Sequence, residues 1–125
     1  MPELPEVEIV RRFLEDVLLK PKPKTIKTVK AFYSPIIKEP EAPQFIHALL
    51  GQTFTRIQRH GKHLILQLQN YSIISHLRME GKYLLKDKNF FPEKHDHIQF
   101  LLNDGTSLVY NDVRKFGTMH LVKRG

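Results

Sequence analysis

Residues 53–78 read TFTRIQRHGKHLILQLQNYSIISHLR. Three short runs follow one another here, TFTRIQR (53–59), HLILQLQ (63–69) and SIISHLR (72–78), each the length of a strand and rich in β-branched and apolar residues. Gly61 is a turn signal between the first two. The same grammar continues downstream. KYLLK (82–86), HIQFLL (97–102), SLVYND (107–112) and TMHLV (118–122) are further candidate strands. They are set apart by Gly81, by Asn103, Asp104 and Gly105, and by Gly117. Upstream, TIKTVKAF (25–32) alternates with period two, with Lys27 and Lys30 facing water.

Two stretches break this rhythm. In residues 5–20, PEVEIVRRFLEDVLLK, Val7, Val10, Leu14, Val17 and Leu18 recur at three- and four-residue spacing and predict one apolar stripe on a helix. Pro5 suits its first turn, Glu6 and Glu8 face the positive end of its dipole, and Pro21 and Pro23 end it. Residues 40–51, PEAPQFIHALLG, predict a second short helix stopped by Gly51. The expected fold is therefore mainly β: a two-layered antiparallel β-sandwich with an N-terminal helix and a second short helix, forming one domain over 1–125. There is no internal repeat, linker or low-complexity segment, and the final VKRG reads as though more chain should follow.

Composition narrows the partners. Hydrophobic residues make up 41% and charged residues 26%, the balance of an ordinary globular protein. With no cysteine there is neither a disulfide framework nor a thiolate zinc site, which suits a reducing compartment. Twenty Lys and Arg against thirteen Asp and Glu give a net charge of +7. Such an excess suits a polyanionic partner, since bound cations release counterions from nucleic acid, but a solvated basic surface explains it equally. Early glutamates and the lack of an uninterrupted apolar run speak against a secretory signal or a membrane span, so a cytoplasmic protein is expected.

The tip of the chain, MPELPEVE, raises a chemical possibility. A small second residue allows removal of Met1, leaving Pro2 with a free secondary amine. At neutral pH roughly a tenth of an α-amino group is unprotonated, against about 0.04% for lysine, so a terminal proline is a ready nucleophile for carbonyl carbon. The iminium it forms stays cationic and serves as an electron sink, with Glu3 and Glu6 nearby to shuttle protons. The plainer reading is a helix start, with acids placed for the dipole and proline in the first turn.

MPELPEVE at the N-terminus, with Arg11 and Arg12 after it, resembles the opening of the formamidopyrimidine-DNA glycosylases. RHGKHLIL (59–66), SHLRMEGKY (75–83), PEKHDHIQF (92–100) and NDVRKFGTM (111–119) resemble further motifs of that family, in the family's order. Leu4 favours the oxidised-purine branch over the endonuclease VIII group, where glycine is usual. The resemblance implies a bifunctional base-excision repair enzyme that removes formamidopyrimidines and 8-oxoguanine and then cuts the strand. It implies Pro2 as the Schiff-base nucleophile, Glu3 as acid/base, Glu6 in proton transfer, and Lys62 as proton donor or positioning group. His76, His95 and Arg114 fall on motif positions that contact DNA. Met79, Arg114 and Phe116 match the residues that fill the void left by the extruded nucleotide, a task that suits an adaptable thioether, a cation and a stacking ring.

Other readings stand beside these. Met79 and Phe116 can be core residues, and Arg114 with Lys115 a solvated turn. Lys62 after Gly61 lacks the rest of a phosphate-binding loop. His60 with His63, or His95 with His97, lacks a convincing third ligand, so no metal is expected. The lysines between positions 20 and 30 read first as a solvated face and second as a DNA contact.

Val113 stands where the family commonly has proline, implying a less rigid loop, and Arg78 and Glu80 stand where glycine and Ser or Thr are frequent. Family members continue into a helix–two-turns–helix domain and a four-cysteine zinc finger, both absent from this sequence. The chain is thus expected to be the N-terminal catalytic domain alone, weakly active or inactive as a glycosylase, with no cofactor of its own. Its expected partner is double-stranded DNA containing damaged purines or abasic sites, and the full-length form is expected to be a monomer. A non-catalytic DNA-binding module on the same scaffold is the alternative. An unrelated basic sandwich would make all five motifs coincidence.

Overall fold

Spacing of three and four places Val7, Leu14 and Leu18 on one stripe, and in the computed structural model, which describes residues 4–124, that stripe is buried on helix α1 (Leu4–Leu19). Val10 and Val17 flank it, partly buried against the same core. The chain then forms β1 (Ile26–Ala31), a 3-10 turn (Ser34–Ile36), β2 (Ile37–Glu39) and α2 (Ala42–Leu49). Gly51, at φ +78°, takes the left-handed conformation that follows the end of α2. Seven strands follow: β3 (Phe54–His60), β4 (His63–Leu68), β5 (Tyr71–His76), β6 (Lys82–Lys86), β7 (Asp96–Leu102), β8 (Ser107–Asn111) and β9 (Thr118–Lys123).

Among the described residues the strands form two sheets, ordered β1-β7-β8-β6 and β2-β9-β5-β4-β3. Leu64, Leu66, Leu68 and Ile73 from the five-stranded sheet meet Ile98, Phe100, Leu102 and Leu108 from the other in one core. Phe45 of α2 packs its ring against Phe100 at 6.5 Å, and α1 lies over β3 and β4. A buried leucine such as Leu66 contributes about 1.5–3 kcal/mol by leaving water. No helix among the described residues is long and apolar enough to cross a membrane.

The expected sandwich and both helices are present, with two refinements. β2 was not anticipated, and it pairs in parallel with β9 although every other pairing is antiparallel. Its three residues, between Pro35 and Pro40, are too few to show a period, and only the tertiary approach of β9 makes them a strand. The other refinement concerns register. Strict alternation cannot expose both Lys27 and Lys30, yet both are exposed, because register shifts between Ile26 and Thr28. A matching shift between Phe54 and Arg56 lets Phe54 and Ile57 both face inward.

Candidate functional site

β3 and β4 are joined by a two-residue hairpin of residues 61 and 62, with Gly61 at φ +59° in the first position, where such turns favour glycine. Lys62 occupies the second position, half-buried. Arg59 ties this turn to α1: its Nε reaches Glu8 Oε1 at 3.1 Å and its Nη1 donates to the Gly61 carbonyl at 3.0 Å. Arg11 grips the same Glu8 carboxylate, Nη2 to Oε2 at 2.9 Å, and donates to the Ile57 carbonyl at 3.4 Å. With Arg11, then Arg59, then Arg12 bonded to it, Glu8 is held at about 2, below its ordinary 4.5. Glu8 is therefore the hub that fixes the start of α1 beside the Lys62 turn. Glu6 lies two residues earlier, exposed, in the first turn of α1. Pro2 and Glu3 lie outside the described residues.

The pairing rows bring the remaining residues to one end of the sandwich. His60 pairs with His63, His63 with His76, and His76 with Thr118, so the ends of four adjacent strands are level. In the other sheet Asn111 pairs with both Lys82 and Asp96. Three connections leave this end: the 61–62 turn, the 77–81 loop and the 112–117 loop. His76 meets His63 edge-on at 4.5 Å between ring centres, and its Nδ1 accepts the Arg78 backbone N–H at 3.1 Å. That bond leaves the Nε2–H free to donate outward. Partial burial first, then His63, Arg78 and Lys62, pushes the His76 pKa below the usual imidazole value.

In the 77–81 loop Leu77 is the buried anchor, and Gly81 N–H donates to its carbonyl at 3.0 Å. Met79 projects at the tip, 44% exposed. The 112–117 loop is organised by Asp112, which is fully buried. Its Oδ1 accepts the N–H groups of Arg114 and Lys115, each at 3.1 Å, and its Oδ2 accepts that of Gly117 at 2.8 Å. Phe116, 50% exposed, has the Arg114 guanidinium 5.2 Å from its ring centre. Lys115 turns the other way, its Nζ 4.5 Å above Tyr33. His95 sits at the same end, its carbonyl accepting the Asp112 N–H at 3.0 Å and its Nδ1 buried without a hydrogen-bond partner among the described residues.

Met79 and Phe116 are thus loop-tip residues and not core. His97 is the core histidine, with Nε2 2.7 Å from the Asp112 carbonyl and its ring 5.3 Å from Tyr33. Lys20 pairs with Asp16 on an exposed face, whereas Lys24 pairs with Asp104 with its side chain only 15% exposed, so the solvated-face reading fits Lys20 and not Lys24. Reading the residues in order missed Arg59, Tyr110 and Asp112. For Asp112 a local signal existed, since an aspartate before a turn commonly bonds amides two and three residues on. These bonds brace the loop where Val113 replaces the frequent proline. Arg59 and Tyr110 carry no such mark.

Comparison with known proteins agrees with this geometry. Residues 1–119 match the family model described as the formamidopyrimidine-DNA glycosylase N-terminal domain. The formamidopyrimidine-DNA glycosylases of Bacillus anthracis and Bacillus subtilis (strain 168) are 53% and 52% identical over the whole chain, which spans 45% of each relative. The Lactococcus lactis Fpg in complex with abasic-site DNA superposes with TM-score 0.90 at 41% identity, over 98% of this chain and 44% of that one. The same enzyme with DNA containing Fapy-dG gives 0.89 at 42% identity, over 97% of this chain and 44% of that one. The chain belongs to the formamidopyrimidine-DNA glycosylase family, within whose N-terminal domain its motifs and its sandwich fall.

Proposed function

We propose that this chain is the N-terminal catalytic domain of a base-excision repair DNA glycosylase with abasic-site lyase activity, working in the cytoplasm on duplex DNA. The substrates are oxidised purines, formamidopyrimidines and 8-oxoguanine. The observation that carries the reading is the gathering of Met79, Arg114, Phe116, His76 and His95 at the end of the sandwich where Arg59 ties α1 to the Lys62 turn. A duplex laid across that end meets an adaptable thioether, a cation and a ring at loop tips, the groups needed to fill the stack when a nucleotide is extruded.

The chemistry follows from the residues. With Met1 removed, the Pro2 nitrogen attacks C1′ of the extruded nucleotide and the damaged base leaves with the bonding pair. Nitrogen loses its proton and the sugar ring opens, giving an iminium that stays positively charged. Glu3, with Glu6 in support, moves protons to and from the sugar, and Lys62 donates a proton or holds the strand. A base takes the C2′ proton, the C–H bonding pair moves into the iminium to give an enamine, and the enamine expels the 3′ phosphate. Loss of the C4′ proton then expels the 5′ phosphate in the same way. No cofactor enters, because the iminium is itself the electron sink.

The test is reductive trapping. Borohydride with abasic-site duplex is expected to give a covalent adduct whose mass and peptide map locate it at Pro2, and none when extra residues block Pro2. Equal trapping by the blocked protein rejects the nucleophile. The alternative is a non-catalytic DNA-binding module on the same scaffold. It predicts salt-sensitive DNA binding with no adduct.

A further inference from the structure

The two loops that carry Met79 and Phe116 rest on one atom. A Cβ added at Gly81 would overlap the Tyr110 hydroxyl oxygen and stand 2.7 Å from the Leu77 carbonyl. A Cβ added at Gly117 would overlap the same oxygen more severely and lie 3.0 Å from Asp112 Oδ2. Each loop therefore descends onto Tyr110 through a residue that has no side chain. Tyr110 is fully buried on β8, and its hydroxyl donates to Asp112 Oδ2 at 2.8 Å, the oxygen that also accepts Gly117 N–H. Its ring meets Tyr83 edge-on at 5.4 Å, and the Tyr83 hydroxyl lies 2.6 Å from Ser75 Oγ, next to His76. Two polar pairs, Ser75 with Tyr83 and Tyr110 with Asp112, are thus joined through the edge contact of the two rings, between β5 and the 112–117 loop.

Polar groups in a dry interior cost stability unless every partner is in place, and phenylalanine would fill nearly the same volume as Tyr110. The hydroxyl needs a further reason to be there. We propose that the Tyr110 hydroxyl, held by Asp112, is a positioning group shared by the 77–81 and 112–117 loops, so that the two move and enter DNA as a unit. The shared seat stands on the packing of Gly81 and Gly117 against Tyr110 alone, and its consequence for DNA rests on the function proposed above. Coupling makes physical sense: a plug on one loop and a wedge on the other must fill one void, and independent loops would lose entropy twice on insertion.

Tyr110→Phe in the 125-residue chain tests this, because it deletes one oxygen and keeps the ring. In the free protein, amide hydrogen exchange is expected to quicken roughly tenfold in residues 79–81 and 114–117 together, with β3 and β4 unchanged. Gly81→Ala should disturb the amides of 114–117, across the gap. With duplex carrying an abasic-site analogue opposite 2-aminopurine, Tyr110→Phe should bind roughly tenfold more weakly and lose most of the unstacking fluorescence. Affinity for undamaged duplex should stay within about twofold. Should Tyr110→Phe fail to fold, Asp112→Asn takes its place in the same measurements. Quickened exchange in one loop only, or in both with unchanged preference for the abasic-site duplex, overturns the proposal. If the wild-type chain shows no such preference, the proposed function fails, and the exchange pattern alone decides whether the loops share a seat.

Discussion

Arg78 and Lys115 are the non-glycine residues at positive φ among those described, +56° and +59°, and each directly precedes a loop-tip side chain, Met79 or Phe116. A left-handed conformation costs an L-residue about 1–2 kcal/mol, a cost that glycine would not carry. Here the position carries a cation instead. Arg78→Gly is therefore expected to raise stability by up to about 1 kcal/mol, read as a higher urea midpoint at unchanged m-value, because strain relief outweighs the added freedom of the unfolded chain. The same variant should bind duplex more weakly, with a salt slope smaller by about one if the guanidinium meets a phosphate. His76 acts differently. Its lowered pKa and its Nδ1 bond make it a neutral Nε2–H donor at neutral pH, so its contribution to an anion is a directed hydrogen bond and not a charge.

At the scale of elements, α1 is held to the five-stranded sheet in two ways, by its apolar stripe and by the clamp of Arg11 and Arg59 on Glu8. The clamp has a pH signature. Glu8 sits at about 2 when folded and near 4.5 when unfolded, so the unfolded chain takes up its proton first as pH falls. The carboxylate's stabilisation is therefore fully present above pH 4.5 and is lost as pH falls through about 2. Glu8→Gln should lower Tm at about pH 6 to 7, with the gap from wild type closing between pH 4.5 and about 2. A gap that is constant over that range would show that Glu8 acts by packing alone. The same substitution loosens the tie between α1 and the Lys62 turn, and so belongs among variants expected to slow borohydride trapping.

At the scale of the whole molecule, the +7 charge is unevenly useful. Lys27 and Lys30 project from β1, Lys20 and Lys24 are paired with acids, and Lys62, Arg78, Lys82, Arg114 and Lys115 stand at the end where the three loops emerge. Binding of duplex should weaken steeply between about 50 and 200 mM salt, with each phosphate contact adding about 0.9 to the slope. Lys82→Gln should reduce that slope by about one, while Lys27→Gln should leave it unchanged. Equal effects from the two would mean that the basic charge acts as a diffuse cloud with no oriented face.

Much of this protein was written locally. Apolar spacing in residues 5–20 determined α1 and its buried side, glycines marked the turns, and most strands began and ended within a residue or two of their apolar runs. The five motifs named the exposed loop residues in their order. Local rules failed where a neighbour distant in sequence decided the outcome. β2 became a strand because β9 lies beside it, and Lys27 and Lys30 share exposure because of a bulge against β7. Arg59 gained its role from meeting Glu8, 51 positions away. Tyr110 read as one more strand aromatic until the fold set two glycines, from loops on either side of it, against its hydroxyl. Periodicity records which face of an element is apolar. It carries no record of which atoms the opposite layer will bring to that face, and that pairing of layers, made only when the sandwich closes, turned separate motifs into one end of one surface.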